Sequence, residues 1–150
     1  MAGQTPVEAS PLVSKFGGQQ DEILILNRGG QLLLWSAEGK AIGQGQDGLV
    51  VQLPQGKWTT APTLINDPSG VRLIVASVEG RVAGLDAKFQ PKWEHQLAGV
   101  TEWGRAVPAV LNIDVGQLLV FNDHSGTATC LKPDGSVVWT KKLSQSEAAH

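Results

Sequence analysis

Cysteine is almost absent from this chain of 150 residues, which contains only Cys130. A single thiol cannot form an internal disulfide, so the cysteine count leaves the redox compartment open. No stretch approaches 18 consecutive apolar residues, and we therefore expect no membrane span. The first ten residues, MAGQTPVEAS, have neither a basic start nor an apolar core, so no signal peptide is visible in them.

Charge of one sign is also scarce. The 12 basic and 14 acidic side chains give a formal net charge of −2, and no run of like charges occurs. This balance lacks the basic footprint of a nucleic-acid-binding protein and the acidic tail of many interaction segments. We expect no nucleic-acid partner.

Patterns for catalysis or cofactor binding are missing as well. The three histidines, His95, His124 and His150, lie too far apart for the ligand spacing of a zinc site. No serine or cysteine nucleophile has an identifiable neighbouring base. The stretch Gly43–Gly48 matches G-x-G-x-x-G, but the strand-like LVVQL follows it instead of a helix, which favours a loop. We expect no catalytic residue and no cofactor.

Glycine (18) and proline (8) are plentiful, and together with short apolar runs they favour an all-β chain rich in turns. The stretch Pro108–Trp139 is one complete unit of this kind. A Pro-led strand is followed by three more short strands, and the turns NDHSG and KPDG separate the last three. The sequence therefore predicts a four-stranded antiparallel unit.

Two further copies of this unit precede it. Gly126 corresponds to Gly80 and Gly30, at steps of 46 and 50 residues. Trp139 corresponds to Trp93, whereas the first copy has a glycine at this place, and the strand-like piece 49–53 reads there as an insert. The predicted segments are an arm (1–9), a first blade with an extra strand-like insert (10–57), a second blade (58–102), a third blade (103–143) and a polar tail (144–150).

A period in the high forties with four short strands per period is typical of β-propeller blades. The elements Ala61-Pro62, GRVAGLD (80–86) and Lys92-Trp93 resemble the quinoprotein-like (PQQ-like) repeat, and the first copy is also similar to FG-GAP-type repeats. The resemblance covers about residues 10–143. It implies an all-β propeller fold and, because such propellers often belong to exported or cell-envelope proteins, a location of that kind.

The resemblance also raises quinone-dependent dehydrogenase activity, from which this sequence departs. Catalytic members of that family carry a vicinal cysteine pair, a calcium site beside a catalytic Asp and usually eight blades, whereas this chain has one cysteine and three repeats. Residues 86–93 also lack the Thr-Gly of the docking motif. We therefore expect a non-enzymatic binding or scaffold module for a protein or glycan partner. The alternative is a fragment of a larger propeller enzyme, quinone-dependent or polysaccharide-acting, whose catalytic residues lie outside this chain.

Three blades do not easily close a ring, since closed propellers ordinarily have four to eight. Each terminal blade would leave one apolar face uncovered. We predict self-association through the terminal blades, in which two copies complete a six-bladed ring. A piece of a longer protein, and an open single chain, are the alternatives.

Candidate binding residues stand in the connections between blades. Trp58 and Trp103 precede the strand-initiating prolines, and with Arg105 they could stack on a sugar or anchor a peptide; packing is the other interpretation. Trp93 and Trp139 are predicted to pack between blades, and Cys130 to be a small buried residue. Two loops offer weak calcium candidates, which ordinary turns explain equally well: Asn66 and Asp67, and Asn112 and Asp114.

Overall fold

A computed structural model describes residues 11–16, 19–59, 61–68, 70–99, 108–114 and 116–142. The predicted arm and tail lie outside these residues. The described part of the chain contains no α-helix, and none of it forms a helix long and apolar enough to span a membrane. Its strands are β1 Leu12–Ser14, β2 Glu22–Leu26, β3 Gln31–Ser36, β4 Leu49–Gln52, β5 Thr63–Leu64, β6 Val71–Ala76, β7 Arg81–Asp86, β8 Pro91–Gln96, β9 Ala109–Ile113, β10 Gly116–Asn122, β11 Thr127–Leu131 and β12 Val137–Lys142.

The strands form three four-stranded antiparallel sheets, each a simple meander in chain order: β1–β4, β5–β8 and β9–β12. The sequence prediction of an all-β chain with three blades of four antiparallel strands is confirmed. In each blade the turn between the second and third strands begins with a short polar residue whose side chain accepts the backbone N–H four positions on. These residues are Asn27, Ser77 and Asp123.

The first blade departs from the prediction in its fourth strand. The sequence predicted an extra strand-like insert at 49–53. In the structure Leu49–Gln52 is the fourth strand of the blade, because it pairs with β3. Gly43 does occupy the place of Trp93: its N–H bonds to Leu34 O, and Trp93 pairs with Gly84 at the corresponding position. The inserted residues are therefore 44–48, which form a loop between Gly43 and β4.

The inserted loop is held by Trp35. Its indole Nε1 donates a hydrogen bond to Asp47 O at 2.6 Å. Asp47 adopts a left-handed conformation (φ +56), which Asp tolerates better than most residues. The longer first step of the repeat thus comes from a loop that interrupts the edge of the blade.

The core consists of two apolar clusters, one between the first and second blades and one between the second and third. Side chains alternate along each strand, so Leu73 and Val75 of β6 join the first cluster, whereas Ile74 and Ala76 join the second. The middle blade is consequently buried on both faces. The first and third blades each pack one face against it.

Candidate functional site

Trp58 lies in the connection between the first two blades, but its side chain is 0% exposed. The indole Nε1 donates to Pro54 O at 2.9 Å, and the ring packs beneath the turn at Gly30, where an added Cβ would lie 2.9 Å from it. A fully buried ring cannot stack on a ligand, so the ligand-binding interpretation of Trp58 is replaced by packing. Trp103 and Arg105 lie outside the described residues, and their assignment stays a prediction.

The structure brings the two predicted calcium loops close together. Gln117 bridges them, since its Oε1 accepts from Asn66 N and its Nε2 donates to Asn112 Oδ1, both at 3.1 Å. Asp67 lies beside a cleft here, and Asp114 belongs to the turn between β9 and β10. Among the described residues, no group of three or more His, Cys, Asp or Glu side chains could hold a metal ion.

The cleft at these loops has a volume of about 230 Å³, which is below the range typical of small-molecule sites. Acidic and basic side chains face it together. Hydrogen bonds from Ser136 lower the pKa of the Asp134 carboxyl, which is therefore ionised at neutral pH. The lining residues are Asp67, Ile113, Gln117, Leu118, Lys132, Pro133 and Asp134.

Trp93 joins the second blade to the third. Its Nε1 donates to Pro133 O at 2.7 Å, across a separation of 40 residues. Its ring lies against Gly135, where an added Cβ would be 2.6 Å from ring atoms. Gly135 has φ +91, a conformation that favours glycine. The packing role predicted for Trp93 thus consists of a tryptophan from one blade on a glycine turn of the next.

The interface between the first two blades has the opposite arrangement. The first blade has Gly43 in place of the tryptophan, and the aromatic ring comes from Phe89, in the second blade's turn between β7 and β8. Phe89 is buried in the shared cluster, and its ring lies 5.8 Å from that of Phe16. Of the two repeat positions that meet at each interface, one therefore carries a ring, which is Trp93 of the preceding blade at one interface and Phe89 of the following blade at the other.

Large apolar side chains are exposed on the third blade. Trp139 is 42% exposed, and all six residues of β12 are exposed. On β9, Leu111 and Ile113 are exposed as well. Trp139 pairs across the strands with Cys130, a residue larger than the Gly84 that faces Trp93. Its ring therefore cannot lie as close to its own sheet as that of Trp93 does.

The outward face of the first blade is apolar too. Ile23 and Ile25 are half-buried, although they occupy the positions of Leu119 and Phe121, which are fully buried against the second blade. Gly39, the counterpart of Gly135, has φ +84, and no described atom beyond its chain neighbours lies within 4 Å of where its Cβ would be. The two terminal faces thus have, half-buried or exposed, apolar side chains at the repeat positions that are buried where blades meet inside the chain.

Carboxylates in the turns of the second and third blades accept hydrogen bonds from the connections that precede these blades. Asp123 Oδ2 accepts from Gly99 N at 3.0 Å, while its Oδ1 accepts from Ser125 N and Thr127 N. Burial raises the pKa of Asp123, but the hydrogen bond from the Ser125 hydroxyl and these backbone hydrogen bonds outweigh burial and leave the pKa below its usual value. Glu79 Oε1 likewise accepts a hydrogen bond from Lys57 N at 3.0 Å. Burial raises the pKa of Glu79, but hydrogen bonds such as this one leave it below its usual value.

Cys130 is fully buried, as the sequence predicted. Burial raises the pKa of its thiol, which keeps it protonated at neutral pH. A buried, protonated thiol is a poor nucleophile, since the thiolate is the reactive form.

Sequence reasoning missed the roles of Phe89 and Gly39. The signal was present in the repeat, because Gly39, Phe89 and Gly135 occupy one turn position at the same steps as the other glycines. The second copy has Phe89 where the other copies have glycine, and the first copy, which precedes it, has Gly43 where the other copies have tryptophan. Comparing the two positions together would have revealed the exchange.

No family model matches this chain, and no curated protein matches it. Solved structures do. BamB from Moraxella catarrhalis superposes with a TM-score of 0.61 and 18% identity over 91% of this chain and 38% of that chain. BBS1N, solved in complex with ARL6DN, gives 0.59 and 14% identity over 95% and 43%. Apo AztD from Citrobacter koseri gives 0.53 and 10% identity over 85% and 33%. The likeness shows a propeller-type fold, and this chain spans less than half the length of each structure.

Proposed function

We propose that this chain is a non-enzymatic propeller-type scaffold that binds protein through the exposed faces of its first and third blades. The observation that carries the proposal is the exposed apolar surface on β9 and β12, where Leu111, Ile113, Val137, Val138 and Trp139 are each more than 40% exposed. These side chains lie on the two edge strands of the third blade, and exposed apolar surface is a feature of protein–protein contact sites.

Two further observations support a protein partner over a glycan. Trp58 is buried, so of the predicted sugar-stacking residues only Trp103 and Arg105 are left. One of the similar folds, BBS1N, was solved bound to another protein, ARL6DN. The first protein partner that we propose is a second copy of this chain, because both terminal faces are apolar.

Light scattering after size exclusion tests this proposal. We expect a mass of about 32 kDa, twice the 15.9 kDa of one chain, to emerge as concentration rises from about 1 µM to about 1 mM, a range that brackets ordinary Kd values. A mass of one chain at every concentration would contradict the self-association.

A second candidate function is a segment of a larger propeller enzyme whose catalytic residues lie outside this chain. The observation that favours it is the share of the similar structures that the chain spans, between 33% and 43%. A single-chain mass together with solubility only when flanking sequence is added would support this alternative.

A further inference from the structure

We propose that Trp139 inserts into the Ala37–Gly39 turn of a second copy of this chain, so that two chains close one ring of six blades. This inference rests on the self-association proposed above and specifies its contact. We draw it from the interface between the second and third blades. The third blade of one chain would contact the first blade of the other chain in the same way.

The internal interface supplies the geometry. Trp93 Nε1 donates to Pro133 O at 2.7 Å while its ring covers Gly135. Trp139 occupies in the third blade the position that Trp93 occupies in the second. Trp139 pairs with Cys130 and Trp93 pairs with Gly84, and Cys130 and Gly84 correspond in the repeat. The third blade thus presents the tryptophan half of the contact.

The first blade presents the other half. Gly39 N donates to Ser36 O at 3.0 Å, as Gly135 N donates to Lys132 O at 2.9 Å, so the two turns correspond residue by residue. Ala37 O is then the counterpart of Pro133 O and the acceptor for Trp139 Nε1. The space over Gly39 is open, whereas that over Gly135 is filled by Trp93.

The surrounding faces match as well. Val120 of the third blade is the counterpart of Ile74, which packs against Leu119 and Phe121 in the second cluster. On the first blade, Ile23 and Ile25 are the counterparts of Leu119 and Phe121. Apolar side chains would therefore meet apolar side chains around the Trp139 contact.

A second copy is the occupant that satisfies both ends together. The third blade of each chain would meet the first blade of the other, so one two-fold arrangement covers both exposed faces. Two chains supply six blades, a number within the range of closed propellers. A different protein would have to supply a tryptophan face for one end and a glycine turn for the other.

The test uses the exchange that the chain already contains at Gly43 and Phe89. Trp139→Gly alone removes the ring, and Gly39→Phe alone sets a second ring against Trp139. Each variant should weaken dimerisation at least about thirtyfold, the loss typical of a truncated aromatic anchor. In the third blade, Ile113 occupies the position of Phe16, which lies beside Phe89 in the first internal interface. Ile113 of one chain would therefore be an apolar neighbour for the phenylalanine introduced at position 39 of the other.

The decisive measurement is the mass of the two variants mixed in equal amounts. In the mixed dimer, one interface keeps Trp139 against Gly39, while the other sets the new phenylalanine against the new glycine. We expect each variant alone to run at one chain and the mixture to run at two. Gly70→Phe is the matched control, because Gly70 is an equally open positive-φ glycine (φ +95) on the middle blade and its change should leave the dimer intact.

The outcomes separate this inference from the proposed self-association. A wild-type mass of one chain at all concentrations overturns both. A wild-type dimer that persists in both single variants, or a mixture that fails to regain the dimer, overturns the Trp139 contact and leaves self-association standing. A ladder of larger masses, or assembly only with a different protein, overturns the closed ring of two chains.

Discussion

Phe89 has a left-handed backbone (φ +65) at a turn position that is glycine in both other blades. Such a conformation costs an ordinary residue about 1–2 kcal/mol. The turn is held by Asp86, whose Oδ1 accepts from Lys88 N at 2.8 Å and from Gln90 N at 3.0 Å. Burial of the ring in the first cluster offsets the strain. The ring has room there because the first blade has Gly43 at the place of Trp93.

Replacing the ring tests this balance of strain and packing. Phe89→Gly relieves the strain but removes a buried aromatic side chain, a loss of about 3–5 kcal/mol by itself, so the free energy of unfolding should fall by roughly 2–3 kcal/mol. Urea denaturation measures it. The neighbouring Lys88→Ala is the control, since Lys88 is exposed and should change little. Equal stability of Phe89→Gly and wild type would show that the ring contributes nothing at the interface.

Asp123 gives a prediction with a pH dependence. Its pKa is lowered in the folded chain, so its contribution to stability is complete above the unfolded pKa of about 3.9 and is lost as pH falls through the lower folded value. Asp123→Ala leaves three backbone N–H groups without their acceptor and should cost about 1–3 kcal/mol at pH 7.

Urea denaturation of Asp123→Ala and wild type at pH 7 and at successively lower pH measures both effects. The difference between them should begin to shrink below about pH 4, where the carboxylate of the unfolded chain becomes protonated, and should be lost as pH falls through the lower pKa of the folded chain. Asp21→Ala is the control, because Asp21 is exposed and its ion pair with Lys15 at 3.5 Å is exposed too. A difference that does not depend on pH would mean that the carboxylate charge has no role in the turn.

At the scale of elements, the blades differ in how firmly their edge strands are held. We predict that amide hydrogens of β6 and β7 exchange slowest and those of β12 fastest, because β6 and β7 are almost wholly buried and β12 is exposed throughout. β8 is the matched reference, since it is also a fourth strand but is anchored through Trp93. Hydrogen exchange in dilute solution measures this, and equal rates in β8 and β12 would argue against the anchoring role.

The strands could be predicted from the sequence because local signals agreed at each of them. A short apolar run, a polar residue and a glycine mark every turn between second and third strands, as at Asp123–Gly126. The fourth strand of the first blade was misassigned because the insertion at 44–48 displaced it from its expected place. Its pairing with β3 depends on hydrogen bonds across the sheet, which linear spacing does not contain.

The candidate site was harder to predict than the strands. Trp58 stands in a connection, and its burial beneath Gly30 results from the packing of two distant segments. The exposure of Trp139 depends on what lies beyond the third blade, which periodicity within the chain cannot report. The sequence could therefore indicate that terminal faces exist, but not which side chains on them match.

At the scale of the whole molecule, the three repeats form two internal interfaces. Each terminal face has the same repeat positions as a face that is buried in one of these interfaces. The middle blade is complete, with an apolar cluster on either side. The terminal blades each have one face of the same design without an internal partner among the described residues. Stability and assembly of the chain are therefore linked through the same side chains.

The ring-and-glycine contacts also govern how such a chain can grow by gene duplication. A copy of the second blade placed after itself would set Phe89 against Trp93, two rings in one space. A third blade placed directly after the first would set Gly135 against Gly43 and leave a gap. A first blade can follow either of the others, since Gly39 accepts Trp93 or Trp139. A third blade can follow itself for the same reason, since Gly135 would then face Trp139 as it faces Trp93. Any lengthening of this protein by whole repeats that keeps these residues must therefore begin its new run with a copy of the first or the third blade, and not of the second.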